Sequence, residues 1–298
     1  MKILALASIL LFSVPSLYGD VYRDAGAGAF SFLKIDPGAR AAALGGTALL
    51  NSGETGVFTN PALLPDLDGA SMTAGHNQWY GDAVQNFLAW NFPLGSFDCS
   101  LGARYVHVGD LEMREGATSD PLTTFSAWDL SIHGAAGVRL GMFDLGVGLK
   151  YLREKVWTES ATGFAADLGV AVRPAEDLCI AAALQHMGPP VTMAVEDYRL
   201  PATWRAGARY GFPTSLGRVS ISAEAGKPLD NRPFAGTGIE YEPSEWLALR
   251  FGSRFGNETG DLTFGTGLTA GGWGLDYAFV PSDHALGTVH RFTLGRSL

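Results

Sequence analysis

Few residues of this 298-residue chain are spaced for catalysis or for metal binding. The six histidines include no His-x-x-x-His or Glu-x-x-His pair, so we predict no metal site. Gly265 and Gly267 imitate a dinucleotide-binding loop, but the segment alternates like a strand and leads into no phosphate-facing helix. Asp66 and Asp68 begin like a calcium loop, yet the later ligands are missing, and we interpret them as a turn. We therefore predict no catalytic residue and no cofactor, and expect a protein that is not an enzyme.

Charged residues instead recur on one side of segments whose other side is apolar. Arg205 and Arg209, for example, alternate with Trp204, Ala206 and Tyr210. Such a charged face predicts the lining of a lumen, either as a polar path or as the anchorage of a plug. Alternatively, the charges pair internally and fill the interior, because charges kept from water need partners. The residues that we assign to this lining are Asp98, Arg104, Lys150, Asp167, Arg205, Arg209, Glu224, Arg250 and Asp276.

The alternating segments are long enough to cross a membrane. They persist for about nine to eleven residues, whereas strands of soluble sandwiches usually have about five or six. The apolar side would face lipid and the polar, glycine-rich side the lumen. Trp204, Tyr210 and Trp246 stand near segment ends, as in interfacial aromatic girdles. The sequence therefore predicts an all-β fold, a 14-stranded antiparallel transmembrane β-barrel with a short N-terminal plug segment.

The connections between the predicted strands differ in length on the two sides of the barrel. The turns after even-numbered strands are short, as at 94–96 and 174–177, and those after odd-numbered strands are often longer, as at 109–124, 157–162 and 188–201. Outer-membrane barrels show this asymmetry between periplasmic turns and extracellular loops. The predicted strands are 70–80, 84–93, 97–108, 125–139, 142–156, 163–173, 178–188, 202–212, 218–227, 234–242, 246–255, 261–269, 273–280 and 288–297.

Composition and the first residues indicate an exported protein. Hydrophobic residues make up 47% and charged residues only 17%, and the net charge of −9 provides no basic field for nucleic acid. Lys2, an uncharged apolar stretch at 3–14 and a breaker at Pro15 form the pattern of a secretory signal peptide over 1–19. We accordingly divide the chain into this signal peptide, a plug or hatch segment at 20–69 and an outer-membrane barrel at 70–298. After cleavage the protein would reside in the cell outer membrane, with its lipid as a partner.

The segment at 20–69 lacks the alternation of the strands. It is rich in Ala and Gly, with a predicted helical turn at 39–44 and a short helix opened by Pro61 and capped by Asn60. About fifty compact residues ahead of a barrel would fold into its lumen as a plug. A small periplasmic extension is the alternative. Within the plug we assign gating to Asn60, Pro61, Ala62 and Leu63.

Three blocks of the N-terminal segment and the end of the chain resemble a known family. The blocks FLKI at 32–35, PGARAAALGG at 37–46 and NPAL at 60–63 are similar to the N-terminal region of the PorV/PorQ family, which itself resembles the FadL fatty-acid transporters. The segments 275–281 and 286–295 resemble the closing hairpin of that family. One departure is that the chain ends in Leu298, where many outer-membrane barrels end in phenylalanine.

The resemblance implies two functions. PorV-like members act with the type IX secretion machinery and receive secreted proteins, so we expect transport or protein secretion across the outer membrane, with secreted proteins or secretion components as partners. FadL-like members transport hydrophobic solutes behind an N-terminal hatch, and a hydrophobic-solute uptake channel is the alternative. The third possibility is a secreted soluble structural β-protein.

The predicted loop at 188–201 is unexpectedly apolar for an extracellular loop. It contains Val191, Met193 and Tyr198. Such a loop would fold over the barrel mouth or hold a hydrophobic partner. The alternative is that it packs on neighbouring loops.

Overall fold

The computed structural model describes residues 28–51, 53–117, 119–256, 262–281 and 287–298. The predicted signal peptide lies outside the described residues. So does the beginning of the predicted plug segment, up to residue 27.

Fourteen antiparallel strands close into a barrel, which confirms the predicted fold class. Each strand pairs with its neighbours in chain order, and β1 closes the ring by pairing with β16, Ser71 opposite Ser297. Two further short strands, β8 and β9, form a separate hairpin. The strands are β1 Ser71–Gln78, β2 Val84–Leu94, β3 Phe97–Met113, β4 Thr123–Leu140, β5 Phe143–Val156, β6 Glu159–Ala175, β7 Leu178–Met187, β8 Val191–Met193, β9 Glu196–Tyr198, β10 Thr203–Thr214, β11 Gly217–Pro228, β12 Phe234–Ser244, β13 Leu247–Phe255, β14 Leu262–Ala270, β15 Trp273–Pro281 and β16 Thr288–Ser297.

The two faces of the strands separate as the alternation predicts. On β5, Val147 and Leu149 are 55% and 70% exposed on the outside, whereas Asp144 and Lys150 are buried inside. The same exposure of large apolar side chains recurs on the other strands, including Leu101, Trp204 and Phe264. A continuous apolar outer face with a polar interior is the arrangement of a transmembrane barrel. Within the described ranges, no helix has the length and hydropathy needed to cross a bilayer.

The four strands β3–β6 are the longest of the barrel, and their predicted boundaries need correction. They have 17, 18, 14 and 17 residues, compared with 8 to 12 in the remaining barrel strands. The predicted loop at 157–162 is wrong, because β5 and β6 join in a tight hairpin in which Val156 pairs with Glu159. Trp157 takes the turn with a φ of 54°. The apolar alternation stops earlier than the strands because strand ends outside the bilayer need no apolar face.

The N-terminal segment lies within the ring of strands. Its helices are α1 Ala39–Ala43, α2 Ala48–Asn51 and α3 Gly56–Thr59, with short stretches of 3-10 turn at Ser31–Lys34, Gly53–Thr55 and Pro61–Asp66. These elements contact strands on opposite sides of the barrel: α1 touches β13–β16, and the turn at Pro61–Asp66 touches β3–β6. The helical turn near 39–44 and the Asn60 cap on Pro61 are confirmed, since Asn60 Oδ1 accepts from Ala62 N at 3.1 Å.

Candidate functional site

The N-terminal segment runs from one end of the barrel to the other. We call the end with the turns at 94–97 and 140–143 the short-turn end, and the opposite end the long-loop end. At the long-loop end, Phe30 N donates to Glu154 Oε2 at 2.7 Å and Ala29 N donates to Arg199 O at 3.1 Å. At the short-turn end, Asp66 pairs with Arg139 and Arg173 of the wall. The segment is thus fastened at both ends of the lumen.

Opposite charges inside the barrel form compact networks. Lys150 Nζ lies 2.7 Å from Asp167 Oδ2 and donates to His186 Nδ1 at 2.7 Å, with the side chains of Lys150 and Asp167 each 1% exposed. His186 has a φ of 58° at a β-bulge between β6 and β7, and its backbone N donates to Asp167 Oδ1 at 2.8 Å. The charged cluster therefore fixes the bulge in the wall.

A second network ties the segment to the wall through Asp36. Arg205 donates to both Asp36 carboxylate oxygens, at 2.8 and 3.0 Å, and its Nε donates to Glu224 Oε1 at 2.5 Å. Two more wall arginines reach the neighbouring backbone: Arg291 donates to Asp36 O at 2.5 Å, and Arg104 donates to Ile35 O at 2.7 Å. Three strands distant from one another thus hold one point of the segment.

A third network connects α1 to the short-turn half of the lumen. Arg40 donates to Glu240 Oε2 and Oε1 at 3.0 and 2.6 Å. Arg250 donates to Glu240 Oε2 at 2.6 Å and to Asp276 Oδ1 at 2.6 Å. The four charges form a chain from the segment across β12 and β13 to β15.

Most of the predicted lining residues therefore take part in these networks. Lys150 with Asp167, Arg205 with Glu224, and Arg250 with Asp276 form three pairs of predicted residues. Arg104 is fully buried, with its guanidinium 4.9 Å from the centre of the Phe32 ring. The other two predicted residues lie nearer the short-turn end. Asp98 is close to Arg139, and Arg209 lines a small cavity. Internal pairing thus accounts for most of the charged face; its role as a polar path stays a prediction.

Two aspartates and two arginines form a closed ion quartet at the short-turn end. Arg139 contacts Asp66 and, through Nε at 2.7 Å, Asp144; Arg173 contacts the same two carboxylates at 2.5 and 2.9 Å. Sequence reasoning missed Asp144 and interpreted Asp66 as a turn. Asp144 alternates along β5 with the exposed Phe143 and Leu145. This alternation is the signal that identifies Asp144 as an inward residue.

The predicted gate residues lie beside β5–β7 and are tightly packed. Asn60 and Ala62 are fully buried. A Cβ added to Gly169 would overlap Asn60 Oδ1, and one added to Gly146 would overlap Ala62 N, so glycine is required at both wall positions. Leu63 packs with Leu49, Leu50 and several small side chains of β6 and β7. The gating role of Asn60, Pro61, Ala62 and Leu63 stays a prediction.

An apolar cluster lies beneath the β8–β9 hairpin at the long-loop end. Phe30, Phe32 and Leu33 of the segment pack against Leu152 of the wall and Val191 of the hairpin, with Met193 and Tyr198 at the edge. The predicted loop residues thus fold back onto the segment. The hairpin itself was missed, because three-residue strands carry too little alternation to be recognised.

The short-turn end holds a cavity of about 320 Å³ on the side of the barrel away from the ion quartet. It lies between α1 and the strands β13–β16 and β1; its apolar lining includes Leu67, Leu247 and Ala248, and its polar lining includes Glu54 and Arg250. Burial raises the pKa of the Glu54 carboxyl, and a hydrogen bond from Thr73 partly opposes the rise. Among the described residues, no group of three His, Cys, Asp or Glu side chains is arranged to hold a metal ion.

Known proteins share this fold. No protein-family model and no curated protein matches the chain. Among solved structures, the P. putida toluene transporter TodX superposes with a TM-score of 0.62 at 12% identity, covering 88% of this chain and 99% of that one. The Ralstonia pickettii toluene transporter TbuX gives 0.58 at 15% identity over 87% and 97% of the two chains. A FadL homologue of Pseudomonas aeruginosa gives 0.54 at 12% identity over 87% and 97%. The likeness extends over nearly the whole described chain and establishes that this chain has the fold of these membrane barrels.

Proposed function

We propose that the chain is a FadL-like outer-membrane channel that takes up hydrophobic solutes. The observation that carries this proposal is the apolar cluster at the long-loop end, where Phe30, Phe32 and Leu33 meet Val191 and its hairpin above a lumen filled by charged networks. The cluster is buried beneath the hairpin, so movement of the hairpin would expose its apolar side chains at the mouth and offer a capture site for an apolar molecule. The fold that the chain shares with two toluene transporters supports the same proposal.

The orientation follows from the loops. Short turns face the periplasm and longer loops the exterior in outer-membrane barrels, so the apolar cluster would face outward and the cavity between α1 and β13–β16 would face the periplasm. Export to that membrane would use the predicted signal peptide at 1–19. In this proposal the segment up to residue 69 acts as the hatch and 70–298 as the conduit wall. A channel of this kind needs no catalytic residue, in keeping with the transport channels that share its fold.

Protein secretion of the PorV type is the second candidate. The long strands β3–β6 favour it, because they extend past their neighbours and offer a surface that a solute channel does not need. The partner would then be a secreted protein or a component of the secretion machinery. Purification in mild detergent followed by mass spectrometry distinguishes the two candidates: a bound amphiphile supports the channel, and a bound secreted protein supports the shuttle.

Uptake assays test the channel directly. Cells lacking their own hydrophobic-solute channels would express the chain and be given labelled toluene and labelled oleate. Val191→Asp places a charge in the apolar cluster, where Val191 is 7% exposed, and should reduce uptake at least several-fold. The matched control is Val195→Asp in the same hairpin, where Val195 is 91% exposed, and it should leave uptake unchanged. Equal uptake by the two variants, or none by the wild type, contradicts the proposal.

A further inference from the structure

The helix α1 lies between an apolar cluster and the large cavity at the short-turn end. On its long-loop side, Ala39, Ala42 and Ala43 pack against Val280 and Val289, with Trp79 and Tyr80 at the edge of the cluster. On its short-turn side, Ala39, Arg40 and Ala41 line the 320 Å³ cavity. Five residues, four of them alanine, thus separate an apolar cluster from a cavity that opens at the opposite end.

Two threonines, one ion pair and the packing of its alanines hold α1 in this position. Thr293 Oγ1 accepts from Ala39 N at 3.0 Å at the beginning of the helix, and Thr263 Oγ1 donates to Ala43 O at 2.9 Å at its end. The body of the helix lies against Gly265, where an added Cβ would overlap Ala43. The ion pair from Arg40 to Glu240 is the strongest single attachment, because it is charge-assisted and bidentate.

The opposite side of the segment is attached differently. The turn at Pro61–Asp66 is closed by the ion quartet and by wall glycines that leave no space around Asn60 and Ala62. Wall glycines enclose residues 43–45 at the end of α1 equally closely. The two sides differ in charge: displacing the turn would break the four-membered ion quartet, whereas displacing α1 would break one ion pair, the threonine hydrogen bonds and the packing of its alanines. The empty space lies on the α1 side, because the 320 Å³ cavity borders this helix, and this favours a route along β13–β16.

Arg40 also separates this cavity from a second one. Its side chain lines both the 320 Å³ cavity and a smaller cavity of about 130 Å³ that includes Arg209 and Glu242. When Arg40 is removed, Glu240 keeps Arg250 as a partner at 2.6 Å, so the change does not leave the carboxylate unpaired. Loss of this one side chain would thus widen the space below α1 without removing the counter-charge of Glu240.

We infer that the 320 Å³ cavity is the exit site of the conduit and that α1, fastened by Arg40, is its barrier. The volume lies in the range of ligand pockets, about 300–1,000 Å³. Leu67, Leu247 and Ala248 would contact the apolar body of a small solute, and Thr73 and Glu54 would receive a hydrogen-bonding group. The inference rests on the proposed function for the identity of the solute. The position of the barrier can be measured without it.

Ion conductance in planar bilayers measures the barrier. Arg40→Ala should raise single-channel conductance several-fold, and Glu240→Gln should change it in the same direction. Arg114→Ala is the matched control, since it removes an arginine that pairs with Glu112 at the long-loop end, away from the lumen. Migration of the unheated and heated barrel in gels verifies that each variant is folded.

Filling the cavity tests the exit site. Gly274 lines the cavity, and a Cβ added there meets no atom within 4 Å, so Gly274→Leu adds volume without distorting the wall. In the Arg40→Ala background it should return the conductance toward the wild-type value, and alone it should reduce solute uptake several-fold. Gly134→Leu is the control, because its added Cβ meets only Leu101 of the outer face, at 3.8 Å.

The outcomes separate this inference from the proposed function. The inference is overturned if Arg40→Ala leaves the conductance unchanged, even where the wild type takes up solute. It is also overturned if the Arg40→Ala, Gly274→Leu double variant conducts as well as Arg40→Ala alone. Conductance that responds as expected in a protein that takes up neither toluene nor oleate supports the barrier and overturns the channel proposal.

Discussion

Substitution of Asp144 by asparagine should destabilise the barrel more than the same substitution of Asp66. Both carboxylates contact both arginines of the ion quartet, but they differ in burial: the Asp144 side chain is 1% exposed and the Asp66 side chain 31%. Arg139 and Arg173 are 42% and 22% exposed and can turn part of their charge toward water. Because Asp144 and Asp66 have the same two arginine partners, comparing the two substitutions isolates the effect of burial.

The expected magnitudes follow from these exposures. Removing one partner of a fully buried ion pair costs about 3–5 kcal/mol, whereas an exposed pair contributes about 0.2–1 kcal/mol. Because both arginines reach solvent, we expect about 2 kcal/mol for Asp144→Asn and about 1 kcal/mol or less for Asp66→Asn. The double variant should cost less than the sum by at least about 0.5 kcal/mol, since the two carboxylates share their partners.

Urea unfolding of the barrel in lipid vesicles, followed by tryptophan fluorescence, gives the free energies. Asp177→Asn provides the control at the same end of the barrel, because Asp177 pairs with Arg218 at 2.5 Å in an exposed pair, and should change stability by less than about 1 kcal/mol. Additive effects of the two quartet variants, or an Asp66→Asn effect as large as that of Asp144→Asn, would refute the closed quartet.

Three further predictions concern the lumen and the hairpin. Lys150→Met leaves Asp167 buried without its cation and should cost about 3–5 kcal/mol in urea unfolding, unless Asp167→Leu is introduced with it. Replacing 191–198 with a short glycine linker should abolish capture of labelled toluene or oleate while the barrel still assembles in membranes. In the Arg40→Ala variant the cation selectivity of the conductance should fall as the pH is lowered, because protonation of Glu54, whose pKa burial raises, removes a negative charge from the cavity.

The alternation with a period of two predicted the barrel, because a transmembrane strand directs alternate side chains toward the lipid and toward the lumen. On β10, Trp204 is exposed and Arg205 is buried, and the sequence shows that difference directly. The apolar alternation stops where a strand leaves the bilayer. The prediction therefore left out Glu159 and the other residues of β3–β6 that extend beyond the membrane. The sequence therefore predicted which strands are present in the barrel, but it did not predict where these strands end.

In the ion pairs between the wall and the N-terminal segment, only the wall partner was predictable. Alternation identified Arg205 and Arg250 as inward residues. Asp36, which pairs with Arg205, and Arg40, which shares Glu240 with Arg250, belong to the segment, whose residues follow no period. Glu240 is different, because it alternates with the outward Ile239 and could have been recognised by parity. Arg205 and Asp36 are 169 positions apart and Arg40 and Glu240 are 200 apart, and contacts over such separations leave no local pattern.

The distribution of these attachments decides where a solute would pass. A charged interior is a poor path for an apolar molecule, because each broken ion pair would expose an uncompensated charge. The apolar clusters at the two faces of the segment, with Phe32 in one and Val280 in the other, lie on either side of the Asp36 network. The second cluster borders α1, and α1 borders the 320 Å³ cavity together with residues 51 and 53–55 of the segment. The solute would therefore pass along the wall, where small side chains and glycines separate it from lipid, and the ion networks would hold the remainder of the segment in place.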